Sequence, residues 1–312
     1  MSNIKKVPSS LANSRLDKAS AEIFNQFSRT QIKKWILNGR ILLNNEIAVP
    51  KDTVYTDDEI EINPISERKV VWHAQDINFE VIHEEKDFLI INKQPDLVVH
   101  PGAGRADGTL ANGLLHAYPE LSEIPRCGIV HRLDKGTSGI LLIAKNDKFR
   151  NYFVKLLQER NVKKNYKAIV IGNAIGSFSI EDPIGRDRKK RTKMAIRVDG
   201  KSAYTFVKPV QNFGGYSLLD ISIETGRTHQ IRVHLSSIKM PIIGDKTYNQ
   251  SVQIAKNTSL ELQKEIRNFP RQALHSSEIS FFNPNINKEV TFSSPMYKDM
   301  ELLLNKLKKQ YK

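Results

Sequence analysis

Three short apolar runs constrain the fold of this chain more than any other feature of its sequence. They read FLIINK at residues 88–93, GILLIAK at 139–145 and AIVIG at 168–172. Each is far shorter than the roughly 20 apolar residues of a membrane span, and each has the β-branched content of a central strand. SLLDISIE at 217–224 alternates apolar and polar residues, as a strand with one buried face does. These segments therefore predict a sheet.

Helical patterns lie between the predicted strands. They occupy TLANGLLHAY at 109–118, the segment around 152–159, and a final segment in which Met300, Leu303, Leu304 and Leu307 share one face. Strands with interspersed helices predict an α+β fold, here a mixed, largely antiparallel sheet flanked by helices. Because domains usually span roughly 100–200 residues, 312 residues suggest two domains. We assign residues 76–312 to the larger one.

A different pattern fills residues 14–75, where two short helices precede short strands. One helical stripe is formed by Leu16, Ala19, Ile23 and Phe27. SRTQ at 28–31 fits a capping box that opens the second helix, and Gly39 supplies the left-handed position after it. RILLNNEIAV then predicts a hairpin that turns at Asn44-Asn45.

Two polar segments border this smaller domain. Residues 1–13 carry several serines and a proline, so we expect a loose tail. NPISERKVVW at 63–72 combines proline, serine and charges, which is typical of a linker.

The charge of the chain favours a polyanionic partner. Lys and Arg number 48 against 34 Asp and Glu, which gives a formal net charge of +14. Nucleic acid is the first candidate for such a partner, and a basic protein without one is the alternative. The single cysteine, Cys127, cannot form an intrachain disulfide and lies among apolar neighbours, where it is expected to be buried. With no apolar leader at the amino terminus, we expect a soluble, cytoplasmic protein that does not bind membranes.

The segment GIVHRLDKGTSGILLIAK at 128–145 is the most informative for chemistry. Its charged, glycine-punctuated loop is placed at a strand end by the apolar runs on either side, and it brings His131, Arg132, Asp134 and Lys135 together. A carboxylate among cations stays ionised, as a nucleophile or base requires. The alternative is an ordinary turn in which the Asp134 side chain caps Gly136 or Thr137.

HRLD followed by TSG resembles the active-site motif of the RluA-type pseudouridine synthases. Three further stretches agree with that family in order and spacing: INKQPDLVVHPGAG at 91–104, KKNYKAIVIG at 163–172 and ETGRTHQIRVHL at 224–235. Together with RKKRTKMAI and FPRQALH they cover most of residues 79–298. Residues 14–75, with RLD, then SR, then a helix ending at glycine, are similar to the S4 RNA-binding domain. The resemblance implies a pseudouridine synthase fold preceded by a small α/β S4-like domain.

The resemblance also implies roles for particular residues. Asp134 would be the catalytic residue, attacking C1′ of the sugar, adding to C6 of the uracil or removing the 2′ proton. Tyr166 would stack on the target base and move a proton, although strand packing is the alternative. Arg232 would pair with Asp134, with Arg227 as the second choice, and either arginine could instead contact a phosphate. The reaction requires no cofactor and no metal.

Several cations are expected to contact RNA. Arg132 would fill the gap that the flipped base leaves, and His131 would hold the same RNA region or merely buttress the loop. RDRKKRTKM at 186–194 would contact phosphates unless it is only a solvated hairpin. The residues assigned there are Arg186, Arg188, Lys189, Lys190 and Arg191, and those assigned in the S4-like domain are Arg29, Lys33 and Lys34.

Other functional classes are set aside. The glycines of VHPGAGRADG, at 102, 104 and 108, miss the spacing of a dinucleotide loop. His229 and His234 do not match zinc-ligand spacing. A noncatalytic RNA-binding or assembly protein remains the alternative to an enzyme. The family resemblance implies large-subunit ribosomal RNA or a pre-ribosomal particle as the partner, with the helix 69 stem-loop as the target, and we expect a monomer.

Overall fold

The computed structural model describes residues 4–25, 27, 29–64, 72–102, 105–190, 192–251 and 253–311. The chain divides into two compact units, Met1–Val71 and Trp72–Lys312. Most of the predicted linker, at 65–71, lies outside the described residues. Across the described part of the chain, no helix is both long and apolar enough to cross a membrane.

Unit 1 packs two helices against small sheets. Its elements are β1 (Ile4–Lys6), β2 (Ser14–Arg15), α1 (Leu16–Ile23), α2 (Arg29–Leu37), β3 (Ile41–Leu43), β4 (Glu46–Ile47), β5 (Thr53–Val54) and β6 (Glu59–Ile62), with a 3-10 turn at Ser9–Leu11. Four strands form a sheet in the order β1-β6-β3-β4, and β2 pairs with β5. For residues 4–13, the described part of the expected loose tail, the expectation was wrong, because β1 pairs with β6 and Val7 is buried in the core.

Two local features of unit 1 have the conformation that the sequence predicts. Asn44 and Asn45 both have positive φ, 52° and 66°, which matches the twist of a tight hairpin between β3 and β4. Gly39, at φ 65°, follows α2 in the left-handed conformation. The first helix is shorter than its apolar stripe, since α1 ends at Ile23. Ser28 of the predicted capping box lies outside the described residues.

Unit 2 is built on one large sheet. Its strands are β7 (Glu80–Glu84), β8 (Phe88–Lys93), β9 (Ser138–Ala144), β10 (Lys163–Ile171), β11 (Phe178–Ile180), β12 (Ile184–Arg186), β13 (Met194–Ile196), β14 (Thr205–Phe213), β15 (Tyr216–Ile223), β16 (Leu274–Asn283) and β17 (Lys288–Ser293). Its helices are α3 (Leu110–Ala117), α4 (Asp147–Gln158), α5 (Gln230–Ser237), α6 (Leu260–Asn268) and α7 (Lys298–Gln310), with 3-10 turns at Pro119–Glu123 and Pro125–Gly128.

The sheet order is β11-β14-β15-β10-β16-β9-β8-β7, with β17 paired to β16. Every pairing in it is antiparallel except that of β9 with β16. The prediction of a mixed, largely antiparallel sheet flanked by helices is therefore confirmed.

The central apolar runs are buried on both faces. Along β8, Leu89 and Ile91 enter one hydrophobic cluster with helix α3, while Phe88 and Ile90 enter a second cluster with helix α4. Successive strand residues point to opposite faces, so a run without polar residues means that both faces are covered. Each such side chain stabilises the fold by about 1.5–3 kcal/mol when it is buried.

The parallel pairing of β9 with β16 positions the loop that precedes β9. Ser138 lies opposite His275 and Gly139 opposite Ser276. A Cβ on Gly139 would come within 2.1 Å of the Ser276 carbonyl oxygen, and its φ of 108° also favours glycine. The glycine of the TSG motif thus permits the close approach that brings residues 269–275 against the HRLD loop.

Candidate active site

The loop between Val130 and Ser138 is fixed by contacts from distant parts of the chain. Lys93 is fully buried, and its Nζ donates to the carbonyl oxygens of Gln94, Leu97 and Lys135 at 2.8 to 3.1 Å. Arg271 Nη1 donates to the Gly136 carbonyl at 2.9 Å. These donors hold the backbone on the carboxyl-terminal side of Asp134.

The Asp134 carboxylate is not used as a turn cap. The Thr137 N–H donates to the backbone carbonyl of Asp134 at 3.0 Å, which closes the turn without the side chain. Arg232 Nη1 donates to Asp134 Oδ2 at 2.9 Å, and His229 Nε2 lies 3.9 Å from Oδ1. The side chain remains 19% exposed. Among the described residues Oδ1 therefore has no short hydrogen bond, and Asp134 lies at the wall of an open pocket.

Arg232 is itself held by a second carboxylate. Its Nε and Nη2 donate to Asp245 at 2.7 and 2.9 Å, while Asp245 also accepts the backbone N–H groups of Thr247 and Tyr248. The guanidinium carbon lies 5.1 Å from the centre of the Tyr248 ring. Burial opposes the charge of Arg232, but the hydrogen bonds and charges of Asp245 and Asp134 outweigh it and raise the pKa above its ordinary value. The cation beside Asp134 is thus permanent and fixed in orientation.

Arg227, the second choice for this pairing, lies elsewhere on the pocket wall. Its Nε donates to the Ser202 carbonyl at 3.0 Å. The structure therefore brings Arg232, rather than Arg227, to Asp134.

Tyr166 lines the same pocket as Asp134 and Arg232. The register of β10 with β16 shifts between Asn165 and Tyr166, where Ser277 of β16 is the extra residue, while β10 pairs with β15 without a break. Burial raises the pKa of Tyr166 to about 12; a hydrogen bond with Ser276 opposes the shift and the charge of Asp134 adds to it. The phenol consequently keeps its proton at neutral pH.

The pocket has a volume of about 80 Å³ and joins these polar groups to apolar walls. Leu133, Ile223 and Ile231 contribute the apolar surface. The pocket therefore combines a few polar groups with an apolar lining, as ligand sites commonly do.

His131 fits the buttress alternative. Its Nε2 accepts the backbone N–H of Leu142 at 2.9 Å, which requires a neutral ring. Burial, and secondarily the charge of Lys164, lowers its pKa to about 3. His131 therefore supports the loop rather than offering a charge to RNA.

The other cations of unit 2 that were predicted to contact RNA are exposed wherever the structure describes them. Arg132 lies at the surface and lines the Asp134 pocket. The basic run forms the turn of the β12–β13 hairpin, on which Arg186, Arg188, Lys189 and Lys190 are exposed. Lys193 Nζ contacts the Thr247 carbonyl, and the Met194 N–H donates to the Tyr248 hydroxyl at 2.9 Å. The hairpin is thereby tied to the residues that support Arg232, while Arg191 lies outside the described residues.

In unit 1 the three predicted RNA contacts lie on helix α2. Lys33 and Lys34 are exposed. Arg29 is 55% exposed, and its Nη2 donates to the buried Asp17 at 3.1 Å. Arg29 thus has a structural partner in addition to any contact with RNA.

Sequence reasoning missed three supporting residues: Lys93, Asp245 and Arg271. Lys93 and Arg271 lie in motifs that the resemblance quotes, but nothing local shows that they reach the loop around Asp134. Asp245 follows the apolar PII of residues 241–243, so its position after a short strand-like run was the available signal. In the part of the chain that the structure describes, no group of three or more His, Cys, Asp or Glu side chains could hold a metal ion.

Comparison with known proteins identifies the family. Residues 87–237 match the family model described as RNA pseudouridylate synthase, and residues 14–60 match that of the S4 domain. Ribosomal large subunit pseudouridine synthase D of Vibrio parahaemolyticus is 41% identical over 97% of this chain and 94% of its own length. The Escherichia coli protein of the same name is 39% identical over 95% of this chain and 91% of its own length.

Two solved structures share the fold. Human RNA Pseudouridylate Synthase Domain Containing 4 superimposes with a TM-score of 0.58 at 22% identity, covering 73% of this chain and 93% of its own. Human RNA Pseudouridylate Synthase Domain Containing 1 superimposes with a TM-score of 0.54 at 24% identity, covering 79% of this chain and 98% of its own. Together with the relatives above, they lead to one conclusion: the chain belongs to the RNA pseudouridylate synthase family and is a pseudouridine synthase that carries an S4 domain.

Proposed function

We propose that this enzyme converts uridines of large-subunit ribosomal RNA, within the helix 69 stem-loop, to pseudouridine, with Asp134 as its catalytic residue. The observation that carries the proposal is the chain of contacts from Asp134 to Arg232 to Asp245 at the wall of a small pocket. The names of the relatives support ribosomal RNA as the substrate.

The reaction is an isomerisation. The bond between C1′ and N1 breaks, the uracil rotates, and a bond forms between C1′ and C5. The proton of C5 is lost and N1 gains one, so no net oxidation or hydrolysis occurs. An anionic Asp134 can attack C1′, add to C6 or remove the 2′ proton, and all three routes require a carboxylate that is fixed and ionised. Arg232 fixes the carboxylate by donating to Oδ2 at 2.9 Å.

Tyr166 has two roles in this proposal. Its ring provides a flat apolar surface on which the target uracil stacks, and its protonated phenol moves a proton while the rejoined base becomes aromatic again. Its raised pKa favours the neutral phenol as the resting form.

The target base leaves its stack to reach Asp134, and Arg132, at the exposed edge of the pocket, occupies the vacated space. The β12–β13 hairpin and the Lys33 and Lys34 side chains of α2 contact phosphates, which position the RNA without reading its sequence. We place this activity in the cytoplasm, performed by a monomer on ribosomal RNA or a pre-ribosomal particle.

The test is to map pseudouridines in ribosomal RNA from cells with and without the protein, and then to restore the lost sites with the purified enzyme. We expect specific uridines of the helix 69 stem-loop to be unmodified without it and converted after its addition. Pseudouridines that are unchanged in that stem-loop and lost elsewhere would refute the proposed target. Tight RNA binding with no conversion anywhere would refute catalysis.

A further inference from the structure

A second cavity adjoins the Asp134 pocket. It has a volume of about 300 Å³ and shares Arg132, Tyr166, Ile223 and Gly226 with that pocket. Its polar lining is basic or neutral, with Lys164, Arg126 and His100 beside Arg132, and it includes no carboxylate. Arg132, Tyr166 and Ile223 of this shared wall have roles in the Asp134 pocket, whereas Lys164 and Arg126 of the larger cavity have none.

Lys164 is the unusual group in this cavity. It lies two residues before Tyr166 on β10, so both side chains project from the same face of the sheet. Lys164 is 7% exposed, yet among the described residues its ammonium has neither a hydrogen bond nor an ion pair. Lys93, the other buried lysine close to the site, satisfies its ammonium with three carbonyl oxygens.

An unpaired buried ammonium destabilises a fold. Burial, and secondarily the charge of Arg227, lowers the pKa of Lys164 to about 8. Glu224, which borders a neighbouring groove together with Lys164, is paired with Arg160 at 3.4 Å. A cation kept beside other cations without a counter-ion is explained if an anion arrives with the substrate.

The backbone at the opposite wall supports this interpretation. Arg126 and Cys127 occupy the left-handed region in succession, with φ of 58° and 52°. Such conformations are unfavourable for residues other than glycine and cluster where a side chain must be presented to a ligand. Here the strained turn contributes Arg126 to the cavity.

We propose that this cavity is a phosphodiester-binding subsite, in which Lys164 holds the RNA backbone next to the flipped uridine. Each ribose carries a phosphodiester on its 5′ and its 3′ oxygen, so a sugar placed at Asp134 brings one anion to each side of the pocket. Lys164 donates to a non-bridging oxygen of one of them, and Arg126 and Arg132 neutralise the remaining charge. The inference rests on the proposed function, because it takes the substrate to be RNA.

The test combines one substitution with one neutral linkage. Lys164→Met is compared with Lys163→Met, the adjacent lysine, whose side chain is 70% exposed on the other face of β10 and paired with Glu289. The RNA is a stem-loop that the parent enzyme binds, prepared with a methylphosphonate at a single linkage 5′ or 3′ of the target uridine. Affinity is measured by filter binding for every combination, and folding is followed by thermal unfolding.

We expect Lys164→Met to weaken binding about tenfold, in the range of a hydrogen bond to a charged group, and to lower the logarithmic salt slope by about 0.7 to 0.9. One methylphosphonate should weaken binding by the parent to a similar degree but have no further effect on Lys164→Met. For Lys163→Met that same linkage should retain its full effect.

Stability separates this role from a structural one. Since Lys164→Met removes a buried charge that lacks a partner, its melting temperature should be equal to or higher than that of the parent. A lower melting temperature with unchanged affinity would show that Lys164 merely supports the fold. Additive losses at both linkages would also overturn the subsite.

The pH dependence offers a second readout. A phosphate contact favours the charged ammonium, so binding by the parent should weaken as pH rises through about 8, the pKa of Lys164. The titratable and charged neighbours among the described residues are Arg126, Arg132, Arg227, His100, His131 and Tyr166, with Arg160, Lys163, Tyr204 and Glu224 in the neighbouring groove. Arginines stay charged in this range, so Lys164→Met should lose the pH dependence. Equal pH profiles for the two proteins would contradict the subsite. All these readings concern binding, so they stay separate from a failure to form pseudouridine.

Discussion

The tetrapeptide Arg-Leu-Asp-Lys occurs twice in this chain, at residues 15–18 in unit 1 and at 132–135 in unit 2. In both copies the leucine is buried, Leu16 completely and Leu133 at 5% exposure, and in both the lysine is exposed. The arginine and the aspartate, however, have different environments.

In unit 1 the aspartate, Asp17, is buried and both of its carboxylate oxygens accept hydrogen bonds from arginines. Asp17 lies in the first turn of helix α1, its side chain is 4% exposed, and it accepts hydrogen bonds from Arg15 and Arg29. In unit 2, Arg132 makes no hydrogen bond to Asp134 among the described residues and lies at the surface. Asp134 keeps one oxygen toward a pocket.

The same four residues therefore do not determine the contacts of the aspartate, which depend on the surrounding structure. A helix start provides Asp17 with local partners, whereas a loop held by Lys93 and Arg271 leaves Asp134 to a partner 98 residues away. Substitutions on the two sides of this contrast have different expected effects.

Among these substitutions, the largest loss of folding stability is expected from Asp245→Asn. This change removes the second carboxylate of Arg232 and leaves a buried cation partly unpaired, at a cost of roughly 3–5 kcal/mol. Arg232 should then lose its orientation, and Asp134 its function. Urea unfolding and single-turnover pseudouridine formation measure the two losses, with Asp17→Asn, which weakens buried ion pairs of unit 1 instead, as the control for a loss of stability away from the site. Retention of full activity by Asp245→Asn would contradict the role given to this contact.

A smaller effect, of about 2 kcal/mol in the modification step, is expected from Arg132→Ala. Only a stacked base leaves a gap that is costly when it flips. The variant should therefore lose more activity on a structured stem-loop than on a flexible single strand of the same sequence. Arg15→Ala, the same change in the other tetrapeptide, should affect both RNAs alike. A uniform loss for Arg132→Ala would argue against gap filling.

Asp17→Asn should destabilise unit 1 by about 1–2 kcal/mol, because two charged hydrogen bonds are weakened. Burial raises the pKa of Asp17, but the hydrogen bonds and charges of Arg15 and Arg29 outweigh it and lower the pKa below 3.8. That stability is present above pH 3.8 and is lost as the pH falls through the lowered value.

Trp35, buried in unit 1, reports this transition by fluorescence when Trp72 is replaced by Phe. The parent should lose unit 1 stability on acidification, and Asp17→Asn should lose less of it. Parallel acid curves for the two proteins would show that this ion pair contributes nothing.

The smallest effect is expected from Lys33→Ala. Removing one phosphate contact should lower the logarithmic salt slope of RNA binding by about 0.7 to 0.9 and leave the rate at saturating RNA unchanged. Lys308→Ala, at the end of the final helix, is the control with the same loss of charge. If the two variants bind RNA equally well, α2 has no share in RNA binding.

The sequence was sufficient for the elements with strong local patterns. The apolar runs of β8, β9 and β10 predicted the central strands, and Asn44-Asn45 predicted a hairpin, because strand alternation and turn geometry depend on neighbouring residues. The prediction of a loose tail was wrong for residues 4–13 because a contact distant in sequence orders them. Its strand β1 is short, polar and exposed, and it exists only because β6 provides an edge for it.

The candidate site likewise combines residues that the sequence indicates with contacts that it does not. The resemblance supplied Asp134, Tyr166 and Arg232, but the contacts that hold them join residues far apart in the chain. Arg271 reaches Gly136 across 135 positions and Lys93 reaches Lys135 across 42. Nothing in a local pattern distinguishes the satisfied ammonium of Lys93 from the unpaired one of Lys164, since that difference depends on which carbonyl oxygens the fold brings close.

The most direct test of the central claim compares the two aspartates. Asp134→Asn and Asp17→Asn are each assayed, at saturating RNA, for tritium release from uridine labelled at C5 in a ribosomal RNA transcript, beside a filter-binding titration. We predict no release by Asp134→Asn, with affinity within a few-fold of the parent because the amide preserves volume and the basic surface is intact. Asp17→Asn should release tritium at nearly the parental rate. Substantial release by Asp134→Asn would contradict the catalytic role of Asp134 and the account of this site.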